Sequence, residues 1–273
     1  HSMKGHMYRK AGVVMDSRVY AVNTGIDPFR LPKAIRNAAL TGRYDMDDSA
    51  SYPRAALHMI PVGETITKTF LQYRKSILKQ IGAHFLPMNP AAEQYEAAKK
   101  LTNLLDMDGE LQSWYKEHAV PPTRTLHGAR IKCMCAMHEG QAGTVACSGG
   151  ECGTRFDLAQ YIDEQPKRTK WIAEQKPRAV RYTIAMNLAM GDANKKPERT
   201  LKSYILQEAE AISRQVKMTW AAVHGHEVHN IQHDGIVIAL KAHMSATRAE
   251  ELLTEACTHT LGYTQPVEHK PYA

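Results

Sequence analysis

The stretch HEVHNIQHDGIVIAL, residues 226–240, constrains the fold most. Two β-like runs meet at Asp234-Gly235, a pair favoured in tight hairpin turns. Val228 and Ile231 precede the turn, and Ile236, Val237 and Ile238 follow it. Strands this apolar bury at least one face, so a carboxylate at their turn is held rigidly. Shorter β-like runs, GVVM and RVYAV, lie near the start. Between these ends the pattern is helical. Ile66, Phe70, Tyr73, Ile77 and Ile81 recur every three to four residues and predict a helix over 64–85. AAEQYEAAKKLTNLL predicts another within 91–118, ended by Pro121-Pro122. In LKSYILQEAEAISRQVKM, Leu201, Ile205, Ala209, Ile212 and Val216 share one face. Thr247 and Glu250 fit a capping box opening a last helix, whose Cys257 is expected in the core beside Leu252, Leu253 and Leu261. The expected class is α+β.

A second stretch, YDMDDSASYP, gathers Asp45, Asp47 and Asp48 within four positions and stops at Pro53. Like charges this close repel, and they do so in a chain carrying 35 Lys and Arg against 28 Asp and Glu. A solvated loop explains the cluster; so does a divalent cation. The basic surplus suggests an anionic partner, nucleic acid first. It is strongest over 164–199, with nine Lys or Arg against four acids. No apolar run approaches the roughly 18 residues of a membrane span. The opening HSMKGHMYRK is polar and basic, unlike a signal peptide. An intracellular, reducing compartment is expected, because the cysteines are not dispersed as in a secreted scaffold.

If Asp47 and Asp234 end strands of one central sheet, their carboxylates can share a metal pair. Two Mg²⁺ ions about 3.5–4 Å apart can clamp the attacking hydroxyl and leaving pyrophosphate of nucleotidyl transfer. Hard oxygen ligands suit Mg²⁺.

The motifs resemble those of palm-domain nucleic-acid polymerases. DDSASYP, from Asp47 to Pro53, is similar to motif A of family B, an Asp separated by four residues from Tyr-Pro. IQHDGIVI, with His233-Asp234, resembles motif C of family A and of single-subunit RNA polymerases, with Gly235 in place of the usual acid. RAVRYTIAMNLAMG, 178–191, resembles the family A motif B through Arg178, Thr183-Ile184 and Gly191; the usual Lys falls on Tyr182, with Arg181 one position away. AAKKLTN at 97–103 is a competing match to the family B Lys-x-x-x-Asn spacing. LKSYILQEAEAI resembles the helix before motif C, and LGYTQPVEHKP the family A ending.

This resemblance implies a palm, an antiparallel sheet with packed helices, plus helical fingers, in which a Cys-rich, zinc-like insertion read from the cysteine spacing would sit. The palm would comprise residues 1–60 with motif A and 200–273 with motif C, and the fingers 61–199 with the insertion at 128–155. The implied activity is template-directed DNA polymerisation from dNTPs, with two Mg²⁺ ions, a nucleic-acid template and primer, and other replication proteins as possible partners. Asp47 and Asp234 bind the metals, with Asp45 as an alternative to Asp47, and Asp45 or Asp48 as a third carboxylate. Arg178 and Arg181 contact the triphosphate. Tyr52 stands where these polymerases often place a gate against the ribose 2′ hydroxyl. The alternatives are a primase or single-subunit-type RNA polymerase, and a non-catalytic zinc-containing module binding nucleic acid through 164–199.

Cys133, Cys135, Cys147 and Cys152 lie within twenty residues among glycines and fit a structural, tetrahedral Zn²⁺ site, in which His138 can replace one thiol. Free cysteines in an irregular insert are the alternative. His224, His226 and His229 read as surface or strand residues rather than ligands.

Overall fold

The computed structural model describes residues 7–10, 13–16, 33–125, 134–135, 155–189, 191, 195–231 and 234–272. In chain order the elements are β1 (Met7–Lys10), β2 (Val13–Asp16), α1 (Lys33–Leu40), β3 (Tyr44–Asp48), α2 (Ser51–Met59), α3 (Glu64–Gln72), α4 (Arg74–Phe85), α5 (Ala91–Asp106) and α6 (Leu111–Glu117). There follow β4 (Met134–Cys135), β5 (Arg155–Phe156), α7 (Leu158–Gln175), α8 (Pro177–Ala189), α9 (Pro197–Val223), β6 (Glu227–Ile231), β7 (Gly235–Ala239), α10 (Ala246–Leu261) and β8 (Val267–Pro271). The chain divides into two units, His1–Ala55 with Tyr204–Ala273, and Ala56–Ser203.

In the first unit a four-stranded sheet runs in the order β6-β7-β3-β8, and every pairing is antiparallel. β1 and β2 pair separately. Side chains alternate along a strand, so Met46 of β3 and Ile236 and Ile238 of β7 face one way. They pack with Val267, with Trp220 and Ala221 of α9, and with Ala249, Leu253 and Cys257 of α10, all buried. The helices therefore cover one face of the sheet. Asp45 and Asp47 point to the other face.

In the second unit, Ile66, Phe70, Ile77, Ile81, Phe85, Leu101, Trp114, Phe156 and Tyr161 belong to one buried core. The expected helix over 64–85 is two helices broken at Tyr73, where the backbone turns to φ −116°, ψ 24°. The apolar period hides the break, because Ile77 and Ile81 keep facing the same core. The segment 91–118 likewise breaks, at Asp108, with φ 55°, and Gly109. A Cβ on Gly109 would lie 2.9 Å from the Leu104 carbonyl oxygen, so glycine favours the close return of the chain.

Polar groups are buried here too. Lys202 pairs with Asp108 at 2.7 Å, and Tyr161 donates to Asp106 at 2.5 Å. Arg168 donates to the carbonyls of Val62 and Gly63.

Two local expectations change. The cap of α10 is Ser245, whose hydroxyl accepts from the Arg248 amide, and Glu250 instead accepts from the His269 amide of β8. The turn after β6 is wider than a two-residue hairpin: Ile231 pairs with Ile236, and Gly235 already belongs to β7. Among the described residues no helix is long and apolar enough to cross a membrane.

Candidate functional site

Asp47 owes its position to β3 lying between β7 and β8. It pairs with Gly235 on one side and with Glu268 on the other. Asp234 immediately precedes Gly235, so the two acidic stretches meet at one end of the β3–β7 ladder. Burial pushes the Asp234 carboxyl above the ordinary range, and the neighbouring Asp47 carboxylate pushes it further. Gly235 makes the approach possible. A Cβ there would lie 2.3 Å from Asp47 Oδ1 and 3.0 Å from the Met46 carbonyl oxygen.

The two oxygens of Asp47 differ. Oδ2 accepts from Lys270 Nζ at 2.6 Å. Oδ1 is buried and accepts no hydrogen bond from any described residue. Burial alone would lower the Lys270 ammonium; Asp47, Asp45 and Glu268 outweigh that and raise it. Asp45 is buried two residues back on the same face, opposite Lys270 in the register. Glu268 accepts from the Ser49 hydroxyl at 2.8 Å.

Asp48 points the opposite way, into the helices. Its Oδ1 lies 2.6 Å from Lys217 Nζ and accepts from the Ser213 hydroxyl at 2.8 Å. Burial lifts its pKa to about 6 although Lys217 pulls it down. Asp48 Oδ2 is buried without a hydrogen-bond partner among the described residues, on the helix side of the sheet, so Asp48 does not share a face with Asp47.

Asp47 and Asp234 present a pair of hard oxygen donors with one buried oxygen left without a partner. A buried carboxylate oxygen in that condition is costly unless a proton or a cation reaches it, and the donor chemistry of the pair fits Mg²⁺. A closed cage is absent: among the described residues no three His, Cys, Asp or Glu side chains gather as a metal site. That is compatible with Mg²⁺, which keeps waters and takes few protein carboxylates.

Tyr52, on the first turn of α2, is buried, and its hydroxyl donates to Glu210 of α9 at 3.0 Å. Arg178 and Arg181 are exposed on α8 in the second unit, while Thr183 and Asn187 bury the other side of that helix. Ala97, Ala98 and Leu101 of the competing 97–103 match are buried in α5. His233, Cys133, His138, Cys147 and Cys152 lie outside the described residues. Of Cys135 only the strand backbone is described, paired with Arg155.

Sequence reasoning missed three contributors. Glu268 and Lys270 reach the site from a strand near the end of the chain. Lys217 reads as one more polar helix residue. The weak signal for the first two was the alternation in VEHKP.

No family model and no curated protein matches this sequence. Among solved structures, the chain is similar to the POL domain of Pol1 from M. smegmatis, in complex with DNA primer-template and dNTP. The TM-score is 0.52 at 12% identity, over 91% of this chain and 42% of that one. The likeness is one of fold: helices on an antiparallel four-stranded sheet, as in a polymerase-like α+β architecture. The chain spans less than half the length of that polymerase chain.

Proposed function

We propose that this chain is a template-directed nucleotidyltransferase that extends a nucleic-acid primer with deoxynucleotides. The observation that carries the reading is the meeting of Asp47 and Asp234 at the end of neighbouring strands, with Asp47 Oδ1 buried and unbonded among the described residues. The polymerase-like fold adds support.

Asp47 and Asp234 would hold the divalent cations, at the end of the β3–β7 ladder. When bound, Mg²⁺ supplies Lewis acidity at the attacking hydroxyl and at the leaving pyrophosphate. The sheet holds both carboxylates before substrate arrives, so little reorganisation is left for the reaction. Arg178 and Arg181 on the exposed side of α8 bind the triphosphate, where fixed positive charge stabilises phosphoryl transfer. Tyr52 selects the sugar from the start of α2. Zinc held by Cys133, Cys135, Cys147 and Cys152, with His138 as a possible substitute, stiffens the insertion at 128–155. The palm comprises 1–60 and 200–273, and the fingers 61–199.

Primer extension with Asp47→Ala and Asp234→Ala tests the reading. Near-total loss in both variants is expected. Unchanged extension would favour a non-catalytic nucleic-acid-binding module.

A further inference from the structure

Lys217 touches both strands of the acidic pair from behind. Its Nζ lies 2.6 Å from Asp48 Oδ1 and donates to the main-chain carbonyl of Asp234. Both side chains of the Asp48–Lys217 pair are fully buried. Ser213, one turn earlier on α9, donates to the same Asp48 oxygen. One ammonium thus ties α9 to the residue after Asp47 and to the backbone of Asp234 itself.

Stability is a weak reason to keep such a pair. Replacing a buried ion pair with apolar side chains is often neutral or stabilising, because desolvating two charges offsets their attraction. The contacts suggest another reason. Asp234 sits where the chain leaves the β6–β7 turn, and Gly235 beside it offers no side chain to pin the backbone. The Lys217 bond to the Asp234 carbonyl supplies that restraint. Pairing with Asp48 also compensates a further negative charge beside Asp47.

We infer that Lys217 is a positioning residue, which holds Asp234 and the end of β3 so that the Asp47 and Asp234 carboxylates meet in the arrangement a shared divalent cation needs. This rests on reading the pair as a cation site. Lys217 lies on the helix side of the sheet, away from the face that carries Asp47, so it acts through those residues and not on the substrate.

The test compares wild type with Lys217→Met, with the double variant Asp48→Asn/Lys217→Met, with Ser213→Ala and with Asp234→Ala. Mn²⁺ binding to the nucleotide-free chain is read by electron paramagnetic resonance, and kcat and KM for dNTP by primer extension. Lys217→Met leaves Asp48 buried and uncompensated and is expected to destabilise the chain. The double variant, neutral at both positions, is therefore decisive. It should fold, bind Mn²⁺ about 10–100-fold more weakly and lose kcat similarly, as disturbed outer partners of metal ligands do, with KM for dNTP unchanged. Ser213→Ala weakens the hold on Asp48 but leaves the Asp234 carbonyl bonded, so it should keep wild-type Mn²⁺ affinity. Wild-type Mn²⁺ affinity and kcat in the double variant would overturn the inference, as would an equal loss in Ser213→Ala. Full Mn²⁺ binding and extension by Asp234→Ala would instead overturn the reading of the acidic pair.

Discussion

Lys270 Nζ donates to Asp47 Oδ2 at 2.6 Å, so an ammonium sits on the carboxylate assigned to a divalent cation. The lysine side chain is 51% exposed and the aspartate 18%. The lysine end of the pair is open to solvent, which screens it toward the roughly 1 kcal/mol of an exposed pair. Displacing Lys270 therefore costs little, and the ammonium protects Asp47 without blocking it. Lys270→Met should tighten Mn²⁺ binding by up to about fivefold. Titration of the nucleotide-free chain measures this. Weaker binding in the variant would mean that Lys270 helps to build the site.

Gly235 is the second point of leverage. An added methyl at this residue meets Asp47 Oδ1 at 2.3 Å and the Met46 carbonyl oxygen at 3.0 Å. Rotating the Asp47 side chain relieves the first clash but not the second, which asks the Met46 carbonyl of β3 to give by a few tenths of an ångström. Gly235→Ala should cost about 1–3 kcal/mol of stability and at least about tenfold in Mn²⁺ affinity. Urea unfolding and Mn²⁺ titration read the two effects separately. A stable variant with unchanged affinity would show that the close approach is dispensable.

The same ladder marks how far the sequence can be read. The apolar run of β7 and the acidic run of β3 are local signals, and each is visible alone. Their register is not, because β3 enters between β7 and β8, and no local pattern specifies a partner so distant in the chain. Lys217 shows why some site residues stay hidden: a helical lysine looks solvated until Asp48 and the Asp234 carbonyl are brought against it. The same limit applies to helix ends. Tyr73 and Asp108 interrupt helices without a proline, inside an apolar period that continues on either side.

Tyr52 bears on sugar choice. Its ring is buried and its hydroxyl donates to Glu210. Tyr52→Phe keeps the ring and removes that bond to a buried carboxylate, at a cost of about 1.5–3 kcal/mol. If the ring excludes the 2′ hydroxyl, Tyr52→Phe should retain the wild-type preference for dNTP over rNTP, and Tyr52→Ala should lose it. Comparing kcat/KM for the two nucleotide types decides the matter. A wild-type preference in Tyr52→Ala would end the gate reading and leave Tyr52 as a packing residue.

Asp106 makes the stability of the second unit depend on pH. It is fully buried in α5, Oδ1 accepts from the Tyr161 hydroxyl, and Oδ2 accepts nothing from the described residues. Burial lifts its pKa from 3.8 to about 6, against the pull of Tyr161, Lys202, Arg168 and Arg74. The folded chain thus holds this proton more tightly than the unfolded chain does. The stabilisation is complete below pH 3.8 and is lost as pH rises through about 6. An asparagine in its place would imitate the protonated acid at every pH, so Asp106→Asn should gain on wild type between about pH 4 and 7. The gain should be on the order of 2–3 kcal/mol. Asp48 also titrates near 6, but it does so in both proteins and cancels from the difference. Urea unfolding of the two proteins across this range measures the effect. A constant difference would mean that Asp106 releases its proton as readily in the fold as in the open chain.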